Sequence, residues 1–125
     1  MTPDELEERC KRFTLDVVSL VDTLPNSMSA KHFGGQLLRC SSSVAANYRA
    51  SRRGRSRKEF LSKLSIVAEG ADEAVFWLEM MGRASIGDLE NVRQLYREAD
   101  ELMRIFAAQR RTARSGQAKS EREAS

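Results

Sequence analysis

A chain of 125 residues has room for one domain with a single core of moderate size. No run of residues approaches the roughly 18 consecutive apolar positions of a membrane-spanning helix, and the acidic start MTPDELEE is unlike a basic signal-peptide head, which predicts cytoplasmic residence. The formal charge of +3 is modest, but it is unevenly spread: residues 1–8 hold acids and no base, whereas two later blocks are basic.

The first helix is predicted from Pro3 or Asp4 to about Leu24. Thr2 or Asp4 can cap it, and the acids of its first turn favour the positive end of the helix dipole. Its apolar stripe is Cys10, Phe13, Val17, Leu20 and Leu24, and Pro25 and Asn26 stop it. The second helix is expected to start near Ser29, with Phe33, Leu37, Cys40, Val44 and then Asn47 or Tyr48 recurring at helical spacing. Gly34 and Gly35 mark either a close approach of two helices or a frayed first turn. The small residues Ser41 to Ser43, Ala45 and Ala46 permit tight packing against a neighbour.

The third helix carries the most regular signal. Phe60, Leu64, Val67, Ala71, Ala74, Leu78 and Met81 alternate fours and threes, the seam of a left-handed bundle. Ser56 and Glu59 have the spacing of a capping box. Leu61, Ile66, Val75, Phe76 and Trp77 widen the apolar surface beyond one seam, as expected either of an interior helix that touches two partners or of one that helps to build an oligomer interface. Asp88 opens a fourth helix with the stripe Val92, Leu95, Ala99, Leu102 and Phe106. Beyond Thr112 no apolar period remains. The expected fold is therefore all-α: an antiparallel up-and-down four-helix bundle over residues 1–112 that self-associates, followed by a disordered basic and polar tail over 113–125.

Catalytic chemistry finds little support. Cys10 and Cys40 lack CxxC spacing and fall among apolar helix positions, which predicts buried free thiols. One histidine, His32, leaves too few ligands for a tetrahedral metal site. Glu69, Asp72 and Glu73 lie on adjacent turns without the Glu-x-x-His pairs of a di-iron bundle, so ionic partners on a neighbouring helix or subunit, or a solvated face, are expected for them. Ser41, Ser42 and Ser43 have no base in reach, because His32 stands about 13 Å of helix rise away. Phosphate-binding glycine loops are absent. No catalytic residue, metal or cofactor is expected.

Two groups of polar residues stand out. Arg39, Ser43 and Asn47 recur every four residues on one face; with Glu69 and Glu73 they are expected to form a buried polar network that fixes helix register. Arg49, Arg52, Arg53, Arg55, Arg57 and Lys58 form a cationic elbow between the second and third helices. Such a cluster suits phosphate backbones. Arg49 and Arg57 have an alternative commitment, to Glu69 or Glu73. Tyr48 is the only ring nearby and is expected to be packed, so binding would be backbone-directed and weakly sequence-specific. Arg110, Arg111, Arg114, Lys119 and Arg122 make a second, looser basic block.

The linked segments RCSSSVAANYR, SRKEF, KLSIV and DEAVFWLE resemble the bacterial four helix bundle protein family, also called the 23S rRNA intervening-sequence protein family, over about residues 9–110. Motif positions Arg39, Ser43, Asn47, Arg49, Arg57, Phe60, Glu69, Glu73 and Trp77 carry the resemblance. It implies a bundle assembled as a ring-shaped homopentamer. It also implies kinship with the accessory variability protein of diversity-generating retroelements, which binds nucleic acid and associates with a reverse transcriptase. Many relatives place Glu after the NYR triplet where this chain has Ala50, which leaves the elbow here more cationic. Two functions follow as expectations: a non-enzymatic oligomer that binds RNA or DNA, or a scaffold for a protein partner in which the elbow is only structural.

Overall fold

Each helix begins at a short polar side chain in extended backbone, whose oxygen accepts the amide three residues on. Thr2 accepts from Glu5, Ser27 from Ala30, Ser56 from Glu59 and Asp88 from Asn91, at 3.0–3.2 Å. The computed structural model describes all residues, Met1–Ser125. It shows α1 (Pro3–Val21), α2 (Met28–Ser51), α3 (Arg57–Arg83) and α4 (Leu89–Ala124). The second cap is Ser27, two residues before the expected Ser29, so the exposed Met28 opens α2. At Ser56 the return half of the capping box is missing, since Glu59 contributes its amide but its carboxylate makes no bond back.

Helices adjacent in sequence pack on one another, and a thinner α1–α4 contact closes the bundle. Arg9 bridges that thin seam. Its guanidinium forks onto Glu98 at 2.7 and 2.6 Å and also meets Glu101 at 3.0 Å. The Glu98 hydrogen bonds, opposed by partial burial, raise the arginine further above its already high pKa. The α3 seam is buried from Leu64 to Met81, whereas Phe60 at its start is half-buried.

Close approach explains two glycines. A Cβ on Gly70 would stand 3.0 Å from Val44 Cγ2 and 3.5 Å from the Cys40 carbonyl, so α2 and α3 touch backbone to side chain where the small residues of α2 run. On Gly34 a Cβ would meet Leu24 Cδ1 at 2.8 Å, whereas Gly35 faces open space. The frayed-turn alternative is set aside for Gly34, which is buried inside α2.

The segment 113–125 corrects the sequence expectation, because α4 continues as helix to Ala124. Ala, Arg, Gln, Lys and Glu are strong helix formers whether or not they carry an apolar period. Arg57 then pins the extension to α3, donating to the Gly116 carbonyl and to Ser120 Oγ, both at 2.9 Å. Gln117 adds an i,i+4 bond to Glu121 at 2.9 Å.

Cys10 and Cys40 are free and fully buried. Burial pushes both thiols up to about 12, so neither carries a reactive thiolate near neutral pH. A thiol reagent at pH 8 is expected to label neither cysteine in the native protein and both after denaturation. Rapid native labelling, counted by mass spectrometry, would contradict this burial.

Candidate nucleic-acid interface

The elbow is a tight reversal. Arg53 N–H donates to the Ala50 carbonyl at 3.1 Å and Gly54 N–H to that of Ser51 at 3.2 Å, which closes α2 with two short turns. Ser51, buried, turns its hydroxyl onto the Tyr48 carbonyl at 2.6 Å. A Cβ on Gly54 would lie 3.2 Å from the Ser51 oxygen and 3.4 Å from the Phe60 amide, so a side chain here would crowd the backbone and push the turn apart by a few tenths of an ångström. The turn leaves the cations exposed at one end of the bundle.

The six basic residues fall into three electrostatic situations. Arg52 is neutralised: its guanidinium meets Asp4 at 2.6 Å and Glu7 at 2.9 Å on α1. The hydrogen bond from Lys11, at 3.1 Å, is the main reason that Glu7 lies below the usual carboxylate range, and Arg52 adds to it. Arg57 is held by uncharged oxygens of α4, so its position is fixed but its charge is not cancelled. Arg49, Arg53, Arg55 and Lys58 make no ion pair within the chain.

Three of these four share one cleft. Arg49, Arg53 and Arg55 line a shallow depression of about 460 Å³ together with Ala46, Ala50 and Glu59. Ala50 sits in its wall, so a glutamate at that position would set a second carboxylate among the guanidinium groups. Arg49 lies in the last turn of α2, where the negative end of the helix dipole favours a cation. Because Arg57 ties α3 to Gly116 and Ser120, the basic residues of the α4 extension are brought to the same end of the bundle. Of these, Arg111, Arg114, Lys119 and Arg122 are exposed.

The expected single polar network is instead two separate arrangements. Arg39 pairs with Glu73 across α2 and α3, with Gln36 accepting from Arg39 at 3.1 Å and Trp77 Nε1 donating to Glu73 at 3.3 Å. Asn47 bonds back within its own helix, donating to the Ser43 carbonyl at 2.9 Å and the Ser43 hydroxyl at 3.1 Å. It is half-buried and reaches no other helix, so its amide is satisfied locally. Glu69, a turn before Glu73, is exposed and pairs with nothing in the chain. Neither Arg49 nor Arg57 engages Glu69 or Glu73. Trp77, absent from the expected network, belongs to it through its indole N–H; its i,i+4 spacing from Glu73 was the available signal.

The Ser41 and Ser42 hydroxyls turn onto the Leu38 carbonyl at 3.2 and 2.8 Å. His32 packs against Trp77, ring centres 5.6 Å apart. No group of three or more His, Cys, Asp or Glu side chains is placed to hold a metal ion. No helix is long and apolar enough to cross a membrane.

A search among curated proteins finds no significant match. A crystal structure of a protein of unknown function from the S23 ribosomal protein family, from Bacteroides thetaiotaomicron VPI-5482, superposes with a TM-score of 0.78 at 25% identity. The match covers 89% of this chain and 99% of that one. The sequence profile of the 23S rRNA-intervening sequence proteins matches residues 5–108, which takes in α1 from its third residue, all of α2 and α3, and α4 to just past the end of its buried stripe. The four capped helices, the α3 seam and that match together make this chain a member of the 23S rRNA-intervening sequence protein family.

Proposed function

We propose that this protein is a non-enzymatic, self-associating helical bundle whose elbow binds the phosphate backbone of RNA or DNA. The observation that carries the reading is the contrast within the elbow. Arg52 is neutralised by two carboxylates, while Arg49, Arg53 and Arg55 line one cleft with no ion pair. Three guanidinium groups without an ion pair, sharing the cleft with the single carboxylate of Glu59, suit phosphate oxygens, which they can grip with two parallel hydrogen bonds. Self-association, in the ring that the family resemblance implies, would multiply these contacts, and the exposed Ile66 and Phe76 on α3 support it.

Titration against mixed-sequence RNA and duplex DNA tests the reading. Affinity is expected to fall steeply between about 50 and 200 mM salt, with little dependence on sequence, because counterions released from phosphates drive the binding. A protein that ignores both nucleic acids at 50 mM salt would sink the proposal. That result would favour the scaffold reading, in which a protein partner such as a reverse transcriptase is engaged instead.

A further inference from the structure

At the end of the bundle remote from the α2–α3 elbow, the C-terminal turns of α3 and the N-terminal turns of α4 leave a groove of about 480 Å³. Leu78, Leu89, Val92 and Tyr96 give it an apolar floor, and Leu89 and Tyr96 remain 51% and 37% exposed. Three arginines rim it: Arg83, Arg93 and Arg97. Arg83 meets Glu79 at 3.4 Å, but Arg93 and Arg97 have no acid. An occupant must bring a bulky apolar group flanked by negative charge.

The chain itself carries such a surface. On α3, Ile66, Glu69, Asp72 and Phe76 are spaced to share the outward face. Phe76 is 50% exposed and Ile66 41% exposed. Glu69 and Asp72 form no ion pair. The apolar-and-acidic face and the apolar-and-basic groove thus have matching deficits. They cannot satisfy each other within one molecule, because Phe76 and the wall of the groove stand on the same rigid helix. The other exposed apolar residues on helices are poor occupants: Leu15 on α1 follows Lys11 and Arg12 by one turn and Met28 at the start of α2 precedes Lys31 by one turn, so each would set a cation against Arg93 and Arg97.

We infer that the Phe76 face of α3 in one copy seats in the arginine-rimmed α3–α4 groove of a second copy, with Glu69 and Asp72 set against Arg93 and Arg97. The inference rests on the self-association in the reading above and assigns it two faces. Two different surfaces that mate in this way make a heterologous contact, the kind that closes rings when the rotation allows. Phe76 would be its aromatic anchor, and the four charges would set the register.

A charge swap tests it. In one variant the groove is reversed by Arg93→Glu and Arg97→Glu; in the other the face is reversed by Glu69→Arg and Asp72→Arg. Each variant alone then opposes like charges and is expected to run as the 14.1 kDa monomer in light scattering, under conditions where the unmodified protein is assembled. A single chain carrying all four substitutions restores opposite charges at every contact, whatever the number of copies in the ring, and is expected to reassemble. Its reassembly also shows that the substitutions are compatible with the fold. If each two-site variant stays assembled like the parent, or if the four-site variant stays monomeric with the circular dichroism of the parent, the pairing is overturned while self-association stands. A parent that is itself a monomer at about 100 µM, well above the roughly micromolar dissociation constants of weak specific contacts, would overturn both.

Discussion

Replacing Phe106 by alanine is expected to destabilise the bundle by about 3–5 kcal/mol, the range for emptying a buried phenylalanine site. The ring is fully buried on α4 and stands 5.2 Å from that of Tyr48 on α2, with the planes tilted by 52°. Truncation removes this contact and leaves a cavity between helices that are not neighbours in sequence. Against a total stability of roughly 5–15 kcal/mol, the loss is a large fraction of what holds the chain folded. Urea denaturation should show a lower midpoint with an unchanged slope, since the surface exposed on unfolding hardly alters. Leu15→Ala is the matching control: Leu15 is 65% exposed, so its loss should change stability by no more than about 0.5 kcal/mol. A Phe106→Ala protein that loses under about 1 kcal/mol would mean that this end of the core is loosely packed. Because Tyr48 directly precedes Arg49, the same cavity would also loosen the platform of the elbow.

The backbone plan was largely legible before any coordinates, because it depends on local patterns. The α3 seam from Leu64 to Met81 is buried at every expected position, and the caps Thr2, Ser56 and Asp88 act where a short polar side chain precedes an apolar period. Neighbouring signals misled where two local rules competed. Ser27 and Ser29 are equally good caps by type, and the exit from Pro25 and Asn26 favoured the earlier one. The lack of an apolar stripe after Thr112 suggested disorder, yet helix propensity and one long-range donor, Arg57, carry α4 to Ala124. Pairing between helices was the least legible. Nothing in the order of residues says that Asp4 and Glu7 lie beside Arg52 rather than Arg53, or that Glu73 takes Arg39 and leaves Glu69 free. These choices follow from helix rotation and offset, which a sequence period fixes only to within a fraction of a turn. Gly70 was missed for the same reason: a small residue beside a seam becomes informative only once Val44 is found 3.0 Å from where its Cβ would be.

The partition of the elbow gives the second large effect. Substituting Arg49, Arg53 and Arg55 together by glutamine is expected to remove most of the salt-dependent binding, whereas Arg52→Gln, in the middle of the same run of sequence, should remove little. Each phosphate neutralised on duplex DNA contributes about 0.9 to the slope of log affinity against log salt, so three contacts contribute roughly 2.7. Over a fourfold rise in salt, from about 50 to 200 mM, the parent should therefore lose about 40-fold more affinity than the triple variant. Arg52 offers no such contact, because its charge already faces Asp4 and Glu7. Glu7 titrates below the usual carboxylate range, so this clasp is complete above the ordinary carboxylate pKa and is lost only as pH falls through the depressed value. At pH 6–8 the contrast between the two variants should thus be independent of pH. Gln is shorter than Arg but keeps a polar, hydrogen-bonding end while removing the charge, and a folded triple variant should retain the circular dichroism of the parent. Equal losses from Arg52→Gln and from each of the three other single substitutions would mean that the whole elbow acts as one diffuse field. An unchanged salt slope in the triple variant would move the phosphate contacts away from the cleft, to the exposed Arg111, Arg114, Lys119 and Arg122 of the α4 extension.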